Sequence, residues 1–416
     1  MNLTESIHIS SRIAALILVC MAAVAHDGAL TSAGTVLNGL LSVSGPDLPG
    51  VYKEVDLQAF DVSPDGRTLA VEFSAMEADK TWAIWVGNWD IASRKPLAQQ
   101  RLEGPTVWSE ILPTVQYQFN LRFMPDGQKL AAQTGRRIKV LDGVKLIPLY
   151  SISAPDTNPP PKQGIAIRRF ETSGDGKLIA VLFSAAKSPC EPTSVGLFDT
   201  QTGKTVAEWT LPQACPHSIS LSPDGSKTLL AGLTLYGSPE VLLANSRTGQ
   251  ILRSFDKEGV SASSNSHVGT AEFLGNDRFI DSFQVDMNTP DDLPNSTLNI
   301  RNLESGEVLQ RLSYSVYGVR GAVALATRAP VVAVLGFGPV KPKDVLRDND
   351  VRGFKRLLLF RLSDKEPFYV SPDISSKERI QTYPDPASSV QISSDGKVLA
   401  VFERGAVKVY HVADAR

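Results

Sequence analysis

The chain has 416 residues, 42% of them hydrophobic and 21% charged, which are the proportions of an ordinary globular protein. Its 42 Lys and Arg nearly balance 44 Asp and Glu, for a formal net charge of −2. That leaves no basic excess to neutralise a phosphate backbone or to hold an anionic bilayer, so nucleic acid and membrane surfaces are not expected partners.

Met1 to Ala25 has the layout of a secretory signal. Arg12 precedes an apolar run, Ile13 to Val24, and Ala23-Val24-Ala25 fits the small-x-small cleavage rule. The run of about 12 apolar residues is too short to span a bilayer, so no stable membrane insertion is expected after cleavage. Cys20 raises lipidation as an alternative, but Val19 before it is a poor fit to a lipobox. The expectation is a secreted or periplasmic protein that begins near His26. Residues 26–50 are rich in small residues, Gly and Pro, and read as a linker. The folded domain is expected over 51–416.

The organising unit is clearest from His217 to Phe255. Ser218 to Leu221 alternates polar and apolar, the period of a half-buried strand. Ser222-Pro223-Asp224-Gly225 then makes a tight turn, with Pro presetting φ and Gly supplying a positive one. Thr228 to Leu233, Val241 to Ala244 and Ile251 to Phe255 follow as strands, with a polar turn at Asn245 to Gln250. This is a four-stranded antiparallel meander, the unit of a propeller blade.

The same turn recurs at Ser63, Met124, Ser173 and Ser393, and degenerate copies begin at Phe273 and Ala324. Seven copies, spaced by roughly 50–65 residues, predict an all-β, seven-bladed β-propeller of four-stranded antiparallel blades. The last copy supplies three strands before Arg416. An open ring would leave two unpaired edges. Val51 to Leu57, which alternates like a strand, is therefore expected to join the last blade and close the ring.

In such a meander the first-to-second and third-to-fourth turns share one face. The second-to-third and blade-to-blade connections share the other. Nearly every long connection falls on the second face, as at 103–117, 256–267, 341–355 and 373–387. Long loops on a rigid scaffold usually carry binding residues.

Candidate sites are few. Cys190 and Cys215 are the only cysteines after residue 25; an even count in an exported chain suggests a disulfide, and no C-x-x-C points to zinc. His217 and His267 stand where first strands begin in adjacent blades, without a third ligand at suitable spacing, so no metal is expected. Asn120, Arg122, Arg168, Arg169, His217 and Arg320 lie in or around first strands, where they could form a cationic channel mouth for an anionic ligand; Arg168, Arg169, His217, His267 and Arg320 are the ligand-binding candidates. Asp61, Glu171 and Glu272 occupy related positions, so a network of internal ion pairs is the preferred reading of this ring. Asp286 to Asp292 lacks the calcium-loop spacing. Trp82, Trp85 and Trp89 are expected to pack between blades. No nucleophile, zinc, phosphate-loop or dinucleotide motif appears, so no catalytic residue and no cofactor are assigned.

The repeated SPDG-strand pattern resembles the bacterial WD-repeat-like propellers, including the TolB-like and YVTN-type proteins and the quinoprotein amine dehydrogenase-like superfamily. The resemblance spans about Val51 to Val412. It implies the scaffold and carries no catalytic residues, since such folds host many functions. The expected function is a monomeric scaffold that binds a protein or peptide through the long-loop face. The alternative is a lactonase- or quinoprotein-like enzyme, or a small-ligand binder, at the channel mouth.

Overall fold

The computed structural model describes residues 30–32, 35–44, 52, 54–77, 80–106, 120–134, 136–155, 165–185, 193–211, 214–234, 239–255, 267–284, 296–314, 317–337, 355–371, 390–403 and 405–413. They form an all-β ring of seven antiparallel blades, six with four strands and one with five. The innermost strands, in blade order, are Glu54–Val62, Leu121–Phe123, Ile165–Thr172, Ala214–Leu221, His267–Phe273, Tyr317–Leu325 and Val390–Ile392. Blade 4 runs outward through Lys227–Thr234, Pro239–Asn245 and Ile251–Phe255.

The ring closes from the N-terminus, but with a different strand from the one expected. Val398–Glu403 pairs Ala406–Val412, which pairs Thr35–Val43; Leu30–Ser32 adds a further strand outside. Thr35–Val43 lies in the stretch that reads as a linker, yet Leu37 and Val43 are buried in the seams beside the last blade. Glu54 to Leu57 of the stretch expected to close the ring instead begin the innermost strand of blade 1. The cause is a bulge at Gln58, where the register shifts between Leu57 and Ala59. The extra residue reverses the alternation, so one long strand reads as two short ones.

Turn chemistry sets the blade boundaries. Ser222 Oγ donates to Asp224 Oδ1 at 2.6 Å and accepts from Lys227 N at 2.9 Å. Ser63–Asp65, Ser173–Asp175 and Ser393–Asp395 repeat the donation at 2.6 Å. Gly225 closes the turn at φ 71°, a region costly for residues with a Cβ. Neighbouring turns lock together: Asp175 N donates to Pro223 O at 2.8 Å and Arg328 N to Ser394 O at 2.8 Å.

The core lies in the seams between blades. Blades 7 and 1 bury Val407 and Val409 against Val71, Phe73, Trp85 and Trp89. Phe73 and Trp89 meet edge to face, with centroids 6.0 Å apart. Trp82, Trp85 and Trp89 are all buried, as expected. Burying each such side chain stabilises the fold by roughly 1.5–3 kcal/mol.

Candidate functional site: the central channel

The innermost strands place their side chains in layers around the axis. The residues that open the seven first turns are Ser63, Met124, Ser173, Ser222, Leu274, Ala326 and Ser393; each donates its N–H back across its turn. Two positions before them stand Asp61, Arg122, Glu171, Ser220, Glu272, Ala324 and Gln391. Four positions before, in blades 2 to 5, stand Asn120, Arg169, Ser218 and Thr270. The inner strands bulge just above this layer, so the next residue of blades 1, 3 and 4 is an extra one: Gln58, Arg168 and His217.

The charges of the first layer pair with one another. Arg122 lies 3.9 Å from Asp61 and 3.5 Å from Glu171. Asp61 also accepts the Phe123 N–H of the next blade at 2.7 Å. Burial nevertheless dominates at Asp61 and lifts its carboxyl to about 6, against the pull of Arg122 and the Phe123 N–H. Burial works against the Arg122 cation, but Glu171 and Asp61 outweigh it and hold the guanidinium above its usual range.

Two charges stand outside these pairs. Among the described residues the Arg169 side chain makes no hydrogen bond and no ion pair, and its Nε is buried. Burial, then the repulsion of Arg122, lower its proton affinity. Glu272 receives the Thr270 hydroxyl at 3.3 Å and has no cation at ion-pair distance among the described residues. Burial, then Glu171, raise its carboxyl. Arg122 and Arg169 both act on Glu272, so these side chains share one field across the channel.

Blade 4 lies between them and contributes hydroxyls. Ser218 and Thr270 are hydrogen-bonded at 3.1 Å, and Ser220 accepts the Phe273 N–H at 3.3 Å. Asn120 spends its amide on Phe170 O at 2.9 Å.

The arginine and histidine candidates fall in different environments. Arg168 donates to Ser184 Oγ, which matches the bond from Gln58 to Ser74 Oγ at 2.6 Å in blade 1. Arg168 and His217 thus hold the same bulge position in adjacent blades, and His217 is partly buried. His267 starts its strand opposite Gln284. Arg320 falls where the register of blade 6 jumps from Tyr317 to Ala322. The side chains of His267 and Arg320 lie outside the described residues, as does Cys190, while Cys215 is buried on the inner strand of blade 4. Ser218, Ser220 and Thr270 carry no motif; counting back from each turn is the signal that finds them.

A further acid lies off the axis. Glu72 is fully buried in the seam between blades 1 and 2, and neither carboxylate oxygen has a hydrogen-bond partner. Burial, then the nearby Glu103, raise it well above the carboxylate range. Glu103 in turn accepts the Thr134 hydroxyl at 2.7 Å. No group of three or more metal-ligating side chains occurs among the described residues.

The fold and channel define this chain as a seven-bladed β-propeller with a mixed-charge axis. Its sequence matches no protein-family model and no curated protein.

Proposed function

We propose that this propeller is an exported scaffold, of the WD-repeat-like, TolB-like or YVTN kind, that binds a protein or peptide through the face carrying its long connections. The observation behind this reading is the inequality of the two faces. First-to-second turns are short in every blade, as at 63–67 and 222–226, and in blades 1, 3, 4 and 7 are closed by their own Ser and Asp side chains. On the opposite face, the links between strands include 107–120, 256–266, 338–354 and 371–389. A rigid ring that concentrates long segments on one face suits recognition of a surface or an extended chain. The pairing of Arg122 with Asp61 and Glu171 also favours a scaffold over an enzyme working at the axis.

The test replaces 338–354 and 372–389, separately, with short Gly/Ser links. Partners recovered by cross-linking from the native compartment should be lost with one or both replacements. They should survive reversal of turn-face charges, as in Lys177→Glu. Partners that survive both loop replacements would sink the proposal. In the same compartment Cys190 and Cys215 should be joined. Intact-mass analysis after alkylation without reductant should show neither thiol labelled, and loss of the bridge should cost about 3 kcal/mol of stability.

A further inference from the structure

The channel between blades 3 and 5 holds two charges that have no direct counter-ion among the described residues. Arg169 and Glu272 are both partly buried. Among the described residues neither has an ion-pair partner, while Arg122 is shared by Asp61 and Glu171 at 3.9 and 3.5 Å. A charge withdrawn from water is costly unless something opposite meets it.

The surroundings narrow what that something is. A simple anion at Arg169 would enter the field of Glu171 and Glu272. A simple cation at Glu272 would enter the field of Arg122 and Arg169. A molecule with both charges, held apart by a short neutral link, satisfies both ends at once. Between the two poles lies blade 4, whose Ser218 hydroxyl, its proton given to Thr270, can accept and whose Ser220 hydroxyl, which accepts from Phe273, can still donate. Arg169 offers a guanidinium fork suited to a carboxylate, with a buried Nε–H that meets no acceptor.

We propose that the channel sector walled by blades 3, 4 and 5 binds a small zwitterion, an α-amino acid with both termini free, with its carboxylate on Arg169 and its ammonium on Glu272. This site is independent of the long-loop face and would operate whether or not that face binds a protein.

The experiment is calorimetric titration of the purified full-length protein with each of the twenty common α-amino acids. Acetate and methylamine serve as single-charge probes. The expected result is saturable binding by one or more amino acids and none by either single-charge probe. Arg169→Gln and Glu272→Gln should each weaken binding by about ten-fold or more, as loss of a charged hydrogen-bond partner requires. Circular dichroism confirms that each variant is folded. If Arg169→Gln does not fold, Glu272→Gln alone carries the test. The proposal is overturned if no amino acid binds, if folded variants bind as tightly as the native chain, or if acetate binds as tightly as the amino acids.

Discussion

Asp224 on the turn face and Glu72 in the seam between blades 1 and 2 bear the same chemical group under opposite forces. The Ser222 hydroxyl and the Ser226 N–H hold the Asp224 carboxyl below its usual range. Burial drives Glu72 the other way, with no hydrogen bond to offset it. The difference shows where this protein uses acids to build and where it tolerates them at a cost. Turn acids recur with the repeat because each caps the turn between the first and second strands of its blade. Interior acids break the repeat: Asp281 stands where blades 1, 3 and 6 carry Val71, Val181 and Val334.

The most damaging way to probe the contrast is to strip a partner from an interior acid. Asp281 is fully buried, accepts from Arg301 Nε at 2.5 Å and from Asn299 Nδ2 at 2.7 Å. Arg301→Ala should cost about 3–5 kcal/mol in urea unfolding, because it strands a buried carboxylate. Replacing Asp281 and Arg301 together with Leu should recover most of that loss. A single variant no worse than the double one would mean that the pair is not coupled.

Removing an unpartnered acid should act in the opposite direction. Glu72→Met is expected to stabilise the protein by roughly 1–3 kcal/mol at pH 8. The folded-state value of Glu72 is raised, so its stabilising protonation is complete at low pH and is lost as pH rises above the unfolded value. The advantage of the variant should therefore shrink toward pH 4. Asp61 follows the same sign: native stability should fall as pH rises from 3.8 to about 6, and Asp61→Asn should flatten that part of the profile. A thermal-shift series across pH checks both; a Glu72→Met gain that is constant with pH would contradict the assignment.

Turn variants should cost less. Ser222→Ala removes a donor to Asp224 and an acceptor for the Lys227 N–H, for a loss of about 0.5–1.5 kcal/mol. Asp224 has a lowered folded value, so its contribution is present above the unfolded value and disappears as pH falls through the folded one. The smallest effect belongs to Arg67→Ala. Arg67 and Asp65 are 3.8 Å apart with both side chains largely exposed, and such pairs contribute at most about 1 kcal/mol. A Ser222→Ala loss no greater than that of Arg67→Ala would show that the turn bonds exchange freely with water.

Most of the architecture was legible in the chain because propeller blades are local. Within a blade each strand pairs with the next in sequence, and four of the seven first turns write their own Ser, Asp and Gly. The closing strand was misread for equally physical reasons. Its partner, Ala406–Val412, lies at the opposite end of the chain, and the bulge at Gln58 disguised the neighbouring strand. The channel was legible only in part. Arg169 and Glu272 could be placed on inner strands, but not assigned a partner, because bulges decide which side of the strand each residue takes.

Amino-acid order by itself thus determined the blade count, the turns and the short face, since these depend on neighbours a few residues apart. Only the tertiary structure decided which strand closes the ring, that Arg122 is shared by Asp61 and Glu171, and that Arg169 and Glu272 share a channel with no ion pair to either among the described residues. Those outcomes depend on residues 49 or more positions apart in sequence meeting in the ring, where burial and geometry, and not local pattern, set each group's environment.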